Sequence, residues 1–561
     1  MQTKRRNGFV IMSHLIVLLG SFIYVLLLAI VNGSIGQILA MGVTIFGSFG
    51  IAKTINPVVI TMPWWLIITL TITCGVLRGI LKYIEQYSNH YIAFKILAIL
   101  RDKIFARLRI LAPARLEGKK KGSIVSLITA DIETLEVFYA HTVSPIFIAL
   151  ISCITVTLFV GIYTSWYLAI VAVIFYILIG VVSPLITSKL LSNTGVSYRA
   201  KFSDFNAYFM DSIKGVKDIL LHNKQEMRMN EVNKKSTELL KETKTLKHKT
   251  SYSSAITESF ITIGIFVSLL IAIILFENNM LDLSLAVIGV VSISSSFGPV
   301  VSLAALPSNL TQTFASGDRV INLLKEEPEV YDVVDGKDFD FEKLEVKDLS
   351  FKYKDDDNQV LNNINLDGSR GQIIGIVGKS GCGKSTLLNL LLRFYQKNNG
   401  TINYNNIDID SINTNSLHKN VTMVSQSTYL FSDTIRENMK IAKEDATDEE
   451  IYQALKFASL DEFVLKLPEK LDTKVSETWD NISAGEKQRL GLARAFLSGS
   501  KVILLDEPTS NIDSINEGII LKALKDYKKD RLIILVSHRE STMAIADKIY
   551  HIENGAITSV E

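Results

Sequence analysis

Long runs free of Asp, Glu, Lys and Arg constrain this chain more than any other feature. Residues 9–31, 55–77, 137–188, 259–276 and 283–317 are such runs. A bilayer crossing needs about 20 apolar residues, and backbone N–H and C=O groups in lipid must be satisfied internally, so each run must be helical. Residues 137–188 suffice for two crossings, broken near 161–165. The fifth crossing starts near Tyr252 and carries Glu258 inside it or at its edge. The expectation is six spans, at about 9–31, 57–80, 137–160, 166–188, 252–276 and 283–305. Residues 36–51, apolar and Gly-rich, read as a re-entrant or helix-extending part of the first outer loop. The first run follows Lys4, Arg5 and Arg6 but is too long for a signal-peptide core, and no clear small-x-small cleavage site follows.

Orientation follows from the loop cations. Residues 81–136 hold ten Lys and Arg and residues 188–250 hold thirteen, whereas Lys53 is alone in the first intervening loop and the other two have none. The N-terminus, both long connections and the C-terminal half are therefore expected on the cytoplasmic side of the cell membrane. Lys plus Arg is 59 against 57 for Asp plus Glu, a net charge of +2, which argues against a nucleic-acid partner. Three scattered cysteines, Cys74, Cys153 and Cys382, make neither a disulfide framework nor a zinc site.

After Asp318 the pattern changes. Residues 373–377, 502–505 and 532–536 are short, wholly apolar runs bounded by polar residues, as a parallel sheet covered on both faces requires. The expected organisation is an all-α transmembrane domain at 1–317, a linker at 318–340 and an α/β P-loop domain at 341–561.

Gly378-Lys379-Ser380-Gly381-Cys382-Gly383-Lys384-Ser385 follows the first of these runs and precedes a Leu-rich helix, and Gly378, Ser380, Gly381, Cys382, Gly383 and Thr386 are expected among the nucleotide-binding residues. Its glycines let the backbone curl so that N–H groups surround phosphates, and the helix start adds positive potential. Lys384 is expected at the β- and γ-phosphates, and Ser385 on Mg²⁺. At the end of the second run, Asp506 is placed to hold Mg²⁺ and Glu507 to activate water, since phosphoryl transfer mainly needs positioning and charge stabilisation.

With these motifs in order, the C-terminal half resembles the ABC ATPases. The resemblance implies ATP stacked on Tyr353, Gln426 as the Q-loop glutamine touching Mg²⁺, Asp513 in the D-loop, and His538 as the switch histidine. Ile482-Ser483-Ala484-Gly485-Glu486 resembles the signature, where Leu-Ser-Gly-Gly-Gln is usual. It keeps Ser483 and Gly485, which in the family cap ATP held by the other subunit, and departs at Ala484 and Glu486. Six spans ahead of one ATPase look like an exporter half-transporter that works as a dimer. Residues 118–127 with Asp131, and residues 206–219, resemble the exporters' two coupling segments. Residues 473–477 resemble the loop that meets them, with Ser476 at the usual Gly.

Residues 82–90 and 111–114 resemble the CydC-type subunit of the exporters needed for cytochrome bd assembly, keeping Glu85 and His90 but carrying Lys82 and Gln86 where Arg is usual. That likeness implies a CydD-like partner and a thiol or haem cargo; read on its own chemistry, the His90 imidazole is a candidate haem ligand. Read on their own, Arg78, Lys82, Glu85 and His90 also fit boundary residues that pair and snorkel. A lipid, peptide or drug-like cargo, a homodimer, and an ATP-gated channel-type protein remain open from sequence; the intact Glu507 speaks against the last.

Overall fold

A computed structural model describes residues 8–116, 121–304, 306–354, 358–476, 482–510 and 512–560. It divides into two compact units, Met1–Leu108 with Lys119–Glu326, and Arg109–Gly118 with Glu327–Glu561.

The first unit is all helical. Its elements are α1 (Gly8–Val17), α2 (Ile23–Ile55), α3 (Trp64–Leu111), α4 (Lys121–Ser126), α5 (Ile132–Phe138), α6 (Ser144–Tyr163), α7 (Trp166–Ile177), α8 (Ser183–Lys214), α9 (Val216–Leu221), α10 (Gln225–Glu277), α11 (Leu283–Ala304) and α12 (Leu306–Lys325). Wide π-turns at Leu127–Asp131, Tyr139–Val143 and Leu178–Val182 join α4 to α5, α5 to α6 and α7 to α8. Among the described residues, six helices are long and apolar enough to cross a membrane: Ile23–Ile55, Trp64–Leu111, Gly122–Tyr163, Trp166–Leu191, Gln225–Glu277 and Leu283–Ala304.

Several boundaries differ from the sequence reading. The first span does not begin at residue 9. The chain breaks at Gly20, whose φ is +47°, and the span begins at Ile23 and absorbs residues 36–51 as continuous helix. The separate α1 buries Ile11 and Leu15 completely. Tyr139 donates its hydroxyl to the Leu15 carbonyl at 2.8 Å, and a Cβ on Gly317 of α12 would stand 3.0 Å from Ile11. The second span begins at Trp64 rather than residue 57, because Pro57 and Pro63 bracket a non-helical turn. The helix after the sixth span runs to Lys325, so part of the expected linker is helix. Val320, Ile321 and Leu323 are buried along it, and Arg319 and Ser316 both bind the buried carboxylate of Asp131. Residue 305 lies outside the described residues.

Glycines let α2 and α3 approach. A Cβ on Gly36 would lie 3.3 Å from Leu81, one on Gly42 3.2 Å from the Cys74 sulfur, and one on Gly50 3.5 Å from Trp64. Hydroxyl pairs tie α8 to α10: Ser183 to Thr257 at 2.6 Å, and Thr187 to Ser253. Such pairs join helices where lipid gives little hydrophobic drive.

The second unit is built on strands. β1 (Lys343–Phe351), β2 (Leu361–Ser369), β4 (Asn399–Tyr404) and β5 (Ile407–Asp408) form an antiparallel sheet in the order β2-β1-β4-β5, while β3 (Ile373–Gly378) and β6 (Val421–Val424) belong to a second sheet. That sheet runs Ala556–Val560, Lys548–Glu553, β3, Leu532–Val536, Val502–Asp506, β6, and only its Ala556–Val560 edge pair is antiparallel. Val502–Asp506 and Leu532–Val536 are buried throughout, covered on both faces. The segment after α3 belongs to this unit: Ala114 packs on the sheet's core and Arg115 meets Glu329 at 3.3 Å.

Candidate functional site

Four parallel strands end side by side, and ligands of open α/β sheets bind beyond such carboxyl ends. β3 delivers the phosphate loop, Leu532–Val536 delivers Ser537 and His538, Val502–Asp506 delivers Asp506 and Glu507, and β6 leads to Ser425 and Gln426.

The loop's curl depends on Gly381 and Gly383, at φ +83° and +102°. Gly378 has no room for a side chain, since a Cβ there would sit 2.3 Å from the Ile552 carbonyl and 2.6 Å from the Cys382 sulfur. α13 (Lys384–Leu391) starts directly after Gly383. Lys384 is buried and donates to the carbonyls of Gly378 and Lys379, both at 2.8 Å, with Cys382 Sγ at 3.8 Å. Ser380 and Ser385 are exposed, and Thr386 is buried. Tyr353 meets Thr386 hydroxyl to hydroxyl at 2.9 Å and stands edge-on to Phe351 and Tyr395, so the ring is fixed beside the loop.

Glu507 has φ +50°, rare for a residue with a side chain. Its N–H donates to the Val536 carbonyl at 2.9 Å, which helps hold it there. Gln426 Nε2 donates to Glu507 Oε2 at 3.1 Å, and His538 Nδ1 lies 3.4 Å from Oε1. Asp506 is buried, and burial raises its carboxyl above the usual range. A hydrogen bond with Ser385 and the charge of Lys384 pull it back down, while Glu507 adds to the rise. Ser385, Asp506 and Gln426 thus supply hard oxygen donors of the kind that suits Mg²⁺.

Two further predicted residues stand at helix starts. Ser483 caps the helix Ala484–Leu497 in a reciprocal box with Glu486: its N–H donates to Glu486 Oε2 at 2.7 Å and its hydroxyl at 2.8 Å. Gly485 lies in that helix's first turn. Asp513 caps Ser514–Tyr527 and accepts from the N–H groups of Ile515 and Asn516 at 3.1 Å each; the Asn516 side-chain amide foremost, and then these backbone bonds, keep its carboxyl low. Asn511, in the predicted D-loop, lies outside the described residues.

Comparison with known proteins decides the family. Residues 361–510 match the ABC transporter family and residues 18–300 match the ABC transporter transmembrane region. A probable ABC transporter ATP-binding/permease protein of Haemophilus influenzae is 43% identical over 99% of this chain and 100% of its own. This chain is an ABC transporter. The ATP-dependent lipid A-core flippase of the same species is 31% identical over 86% of this chain and 82% of its own. A bacterial Atm1-family ABC exporter solved with ATP bound superposes with TM-score 0.81 at 20% identity, covering 95% and 94% of the two chains, so the fold is shared.

ATP hydrolysis coupled to transport is thus the activity of this ABC transporter, and half-transporters of this architecture work as dimers in a membrane. Its nucleotide site includes a residue that sequence reading assigned no role. Gln488 is buried, and its Nε2 donates to the Glu507 carbonyl at 2.6 Å and to Ser510 at 3.3 Å, bracing the strained turn. The signal was present, five residues after Ser483 on a helix start, but Gln in that position also reads as solvated surface.

In the transporter's membrane unit, His90 lies 3.4 Å from Glu136 and stands edge-on to His141, with ring centroids 5.4 Å apart. Glu85 is buried with Lys82 at 2.6 Å and the Asn89 amide at 3.4 Å. Of the expected first coupling segment, residues 118–120 lie outside the described residues, and Asp131 is paired with Arg319. The expected second segment, residues 206–219, covers the end of α8, the turn at Gly215 and the start of α9, a short helix that has no buried residue and exposes Val216, Leu220 and Leu221. Residues 474–475 pair as a strand with Asp433–Thr434, and residue 477 lies outside the described residues. α2, α6 and the turn before α3 line a half-open apolar pocket of about 320 Å³ that includes Met41, Phe46, Phe49, Met62, Phe159 and Tyr163.

Proposed function

We propose that this chain is half of an ATP-driven exporter whose cargo is amphipathic and lipid-like or drug-like. The observation that carries the ATPase part is the convergence of Gln426, Glu507 and His538 on one carboxylate beside the phosphate loop. Lys384 leaves its two carbonyls for the β- and γ-phosphates, and Tyr353 takes the adenine. Ser385, Asp506 and Gln426 would hold Mg²⁺, which screens phosphate charge when bound. The burial that raises the Asp506 carboxyl disfavours its charge, and a cation bound beside it favours the charged form again. Glu507 then accepts a proton from water, oriented by His538 and Gln426. Ser483 and Gly485 face the nucleotide of the partner subunit, and Asp513 lies beside that contact.

Two observations support the cargo class. The membrane unit holds an aromatic, apolar cavity, and one relative is described as a lipid A-core flippase. The thiol or haem reading rested on the CydC-type likeness of residues 82–90 and 111–114, and its haem part on His90, whose Nδ1 faces Glu136. Titration of the purified protein with haem should give no Soret shift that His90→Ala abolishes; such a shift would restore the haem cargo and with it the CydD-like partner. Glu507→Gln should bind ATP and lose hydrolysis. Hydrolysis at the wild-type rate by that variant refutes the assignment.

A further inference from the structure

His538 reaches Glu507 from an open position. Its side chain is 63% exposed, so packing does not hold the ring, and its place depends on the backbone at either side. On one side Ser537 is buried, with its N–H directed at the Ile376 carbonyl at 3.4 Å. On the other side stands Arg539. Its Nη1 donates to Glu517 Oε2 at 2.9 Å, and its Nη2 donates to the Ser510 carbonyl at 3.0 Å. A planar guanidinium that serves two acceptors fixes direction as well as distance, which a lysine ammonium does not.

Glu517 lies in the first turn of Ser514–Tyr527 and is 6% exposed. Its Oε1 accepts from Thr542 at 2.9 Å, Ser541 at 3.0 Å and Thr509 at 3.3 Å. Burial works to raise this carboxyl, but the hydroxyls of Thr542 and Ser541, the charge of Arg539 and the hydroxyl of Thr509 hold it below the usual range. The buried charge is therefore kept and fully partnered.

The donors come from two segments. Thr509 and Ser510 follow Glu507, whereas Arg539, Ser541 and Thr542 follow His538. The contacts close a ring: Glu507 leads to Ser510, the Ser510 carbonyl takes Arg539, Arg539 adjoins His538, and His538 Nδ1 returns to Glu507 at 3.4 Å. Glu517 sits behind that ring and holds both of its arms.

We propose that Glu517 and Arg539 are positioning residues for ATP hydrolysis. The pair fixes the backbone beside His538 against the turn that carries Glu507, so that histidine and base address the same water. This rests on the roles given to His538 and Glu507 above and deepens them. Both residues act through His538, without touching the nucleotide.

Full-length chain in lipid nanodiscs tests this. Glu517→Gln keeps the shape and loses the charge, and Arg539→Lys keeps the charge and loses the second contact. Each should lower kcat about 10- to 100-fold, as displacement of a catalytic group by about 1 Å does, with the KM for ATP and the unfolding midpoint unchanged. Where Glu517→Gln does not fold, Arg539→Lys carries the test. In a His538→Ala background, single-turnover hydrolysis should fall by less than about twofold on adding either change, because residues that act through one group are not additive. Wild-type kcat in both single variants, a raised KM with kcat kept, or the full loss repeated in the His538→Ala background overturns the proposal and leaves the role of His538 standing. Hydrolysis at the wild-type rate by His538→Ala alone overturns that role and the proposal together.

Discussion

The nucleotide-binding unit and the membrane unit hold their charged residues in opposite ways. In the first, Lys384, Asp506, Glu507, Gln426 and His538 are brought together by strand ends within one chain, and each has a partner there. In the second, Arg78 and Glu258 stand exposed at lipid depth while Glu85 is sealed beside Lys82. Chemistry that recurs on every turnover is built into rigid backbone.

The first way to break this contrast is Glu507→Gln. Removing a positioned base should cost about 10²–10⁴ in hydrolysis rate, with nucleotide binding by fluorescence titration unchanged. A similar loss from a change at lipid depth, without loss of the dimer, would erase the distinction.

Packing in the membrane unit comes next. A Cβ on Gly33 would lie 2.3 Å from Ile148 and 3.0 Å from the Glu85 side chain. Gly33→Leu should therefore destabilise by about 1–3 kcal/mol through overpacking, read as a lower unfolding midpoint in detergent. The midpoint of the isolated nucleotide transition should not move.

Asp506 gives a smaller, pH-dependent test. Its carboxyl is raised in the folded unit from 3.8, so the folded state holds a proton over a range where the unfolded chain has lost it. The stability this contributes is full at low pH and fades as pH rises through the folded value. Asp506→Asn removes that dependence, so its unfolding midpoint relative to wild type should climb as pH rises from about 4. A constant difference would mean the carboxyl is not perturbed. Hydrolysis by this variant should be lost at every pH.

The smallest effect is expected at the hydroxyl pair of Ser183 and Thr257. A double-mutant cycle to alanine should give a coupling of about 0.6 kcal/mol. A coupling near zero would mean that α8 and α10 are held by packing alone.

The same contrast explains what was legible in the sequence. The phosphate loop could be read because glycine is required at Gly381 and Gly383 by backbone geometry, whatever surrounds them. Apolar runs that end in Asp506 or lead to His538 announce buried parallel strands, and adjacent strand ends then put the site together. The membrane unit was legible as six spans but not in its joints. Nothing charged separates α1 from α2, so a break that rests on Gly20 was invisible to a count of charges. The helical run to Lys325 was hidden because its partner, Asp131, is remote in sequence. The two carboxylates Asp131 and Glu85 look alike in sequence, and only packing separates a helix staple from a residue sealed against Gly33.

The most direct test of the central claim is made in sealed vesicles containing the purified chain and a fluorescent amphiphile whose outer-leaflet fraction is bleached by dithionite. Addition of Mg-ATP to the face bearing the nucleotide site should change the bleachable fraction at a rate proportional to hydrolysis, and Glu507→Gln should abolish both together. Redistribution at an equal rate without ATP, or hydrolysis that proceeds with no redistribution of any amphiphile supplied, would contradict the account.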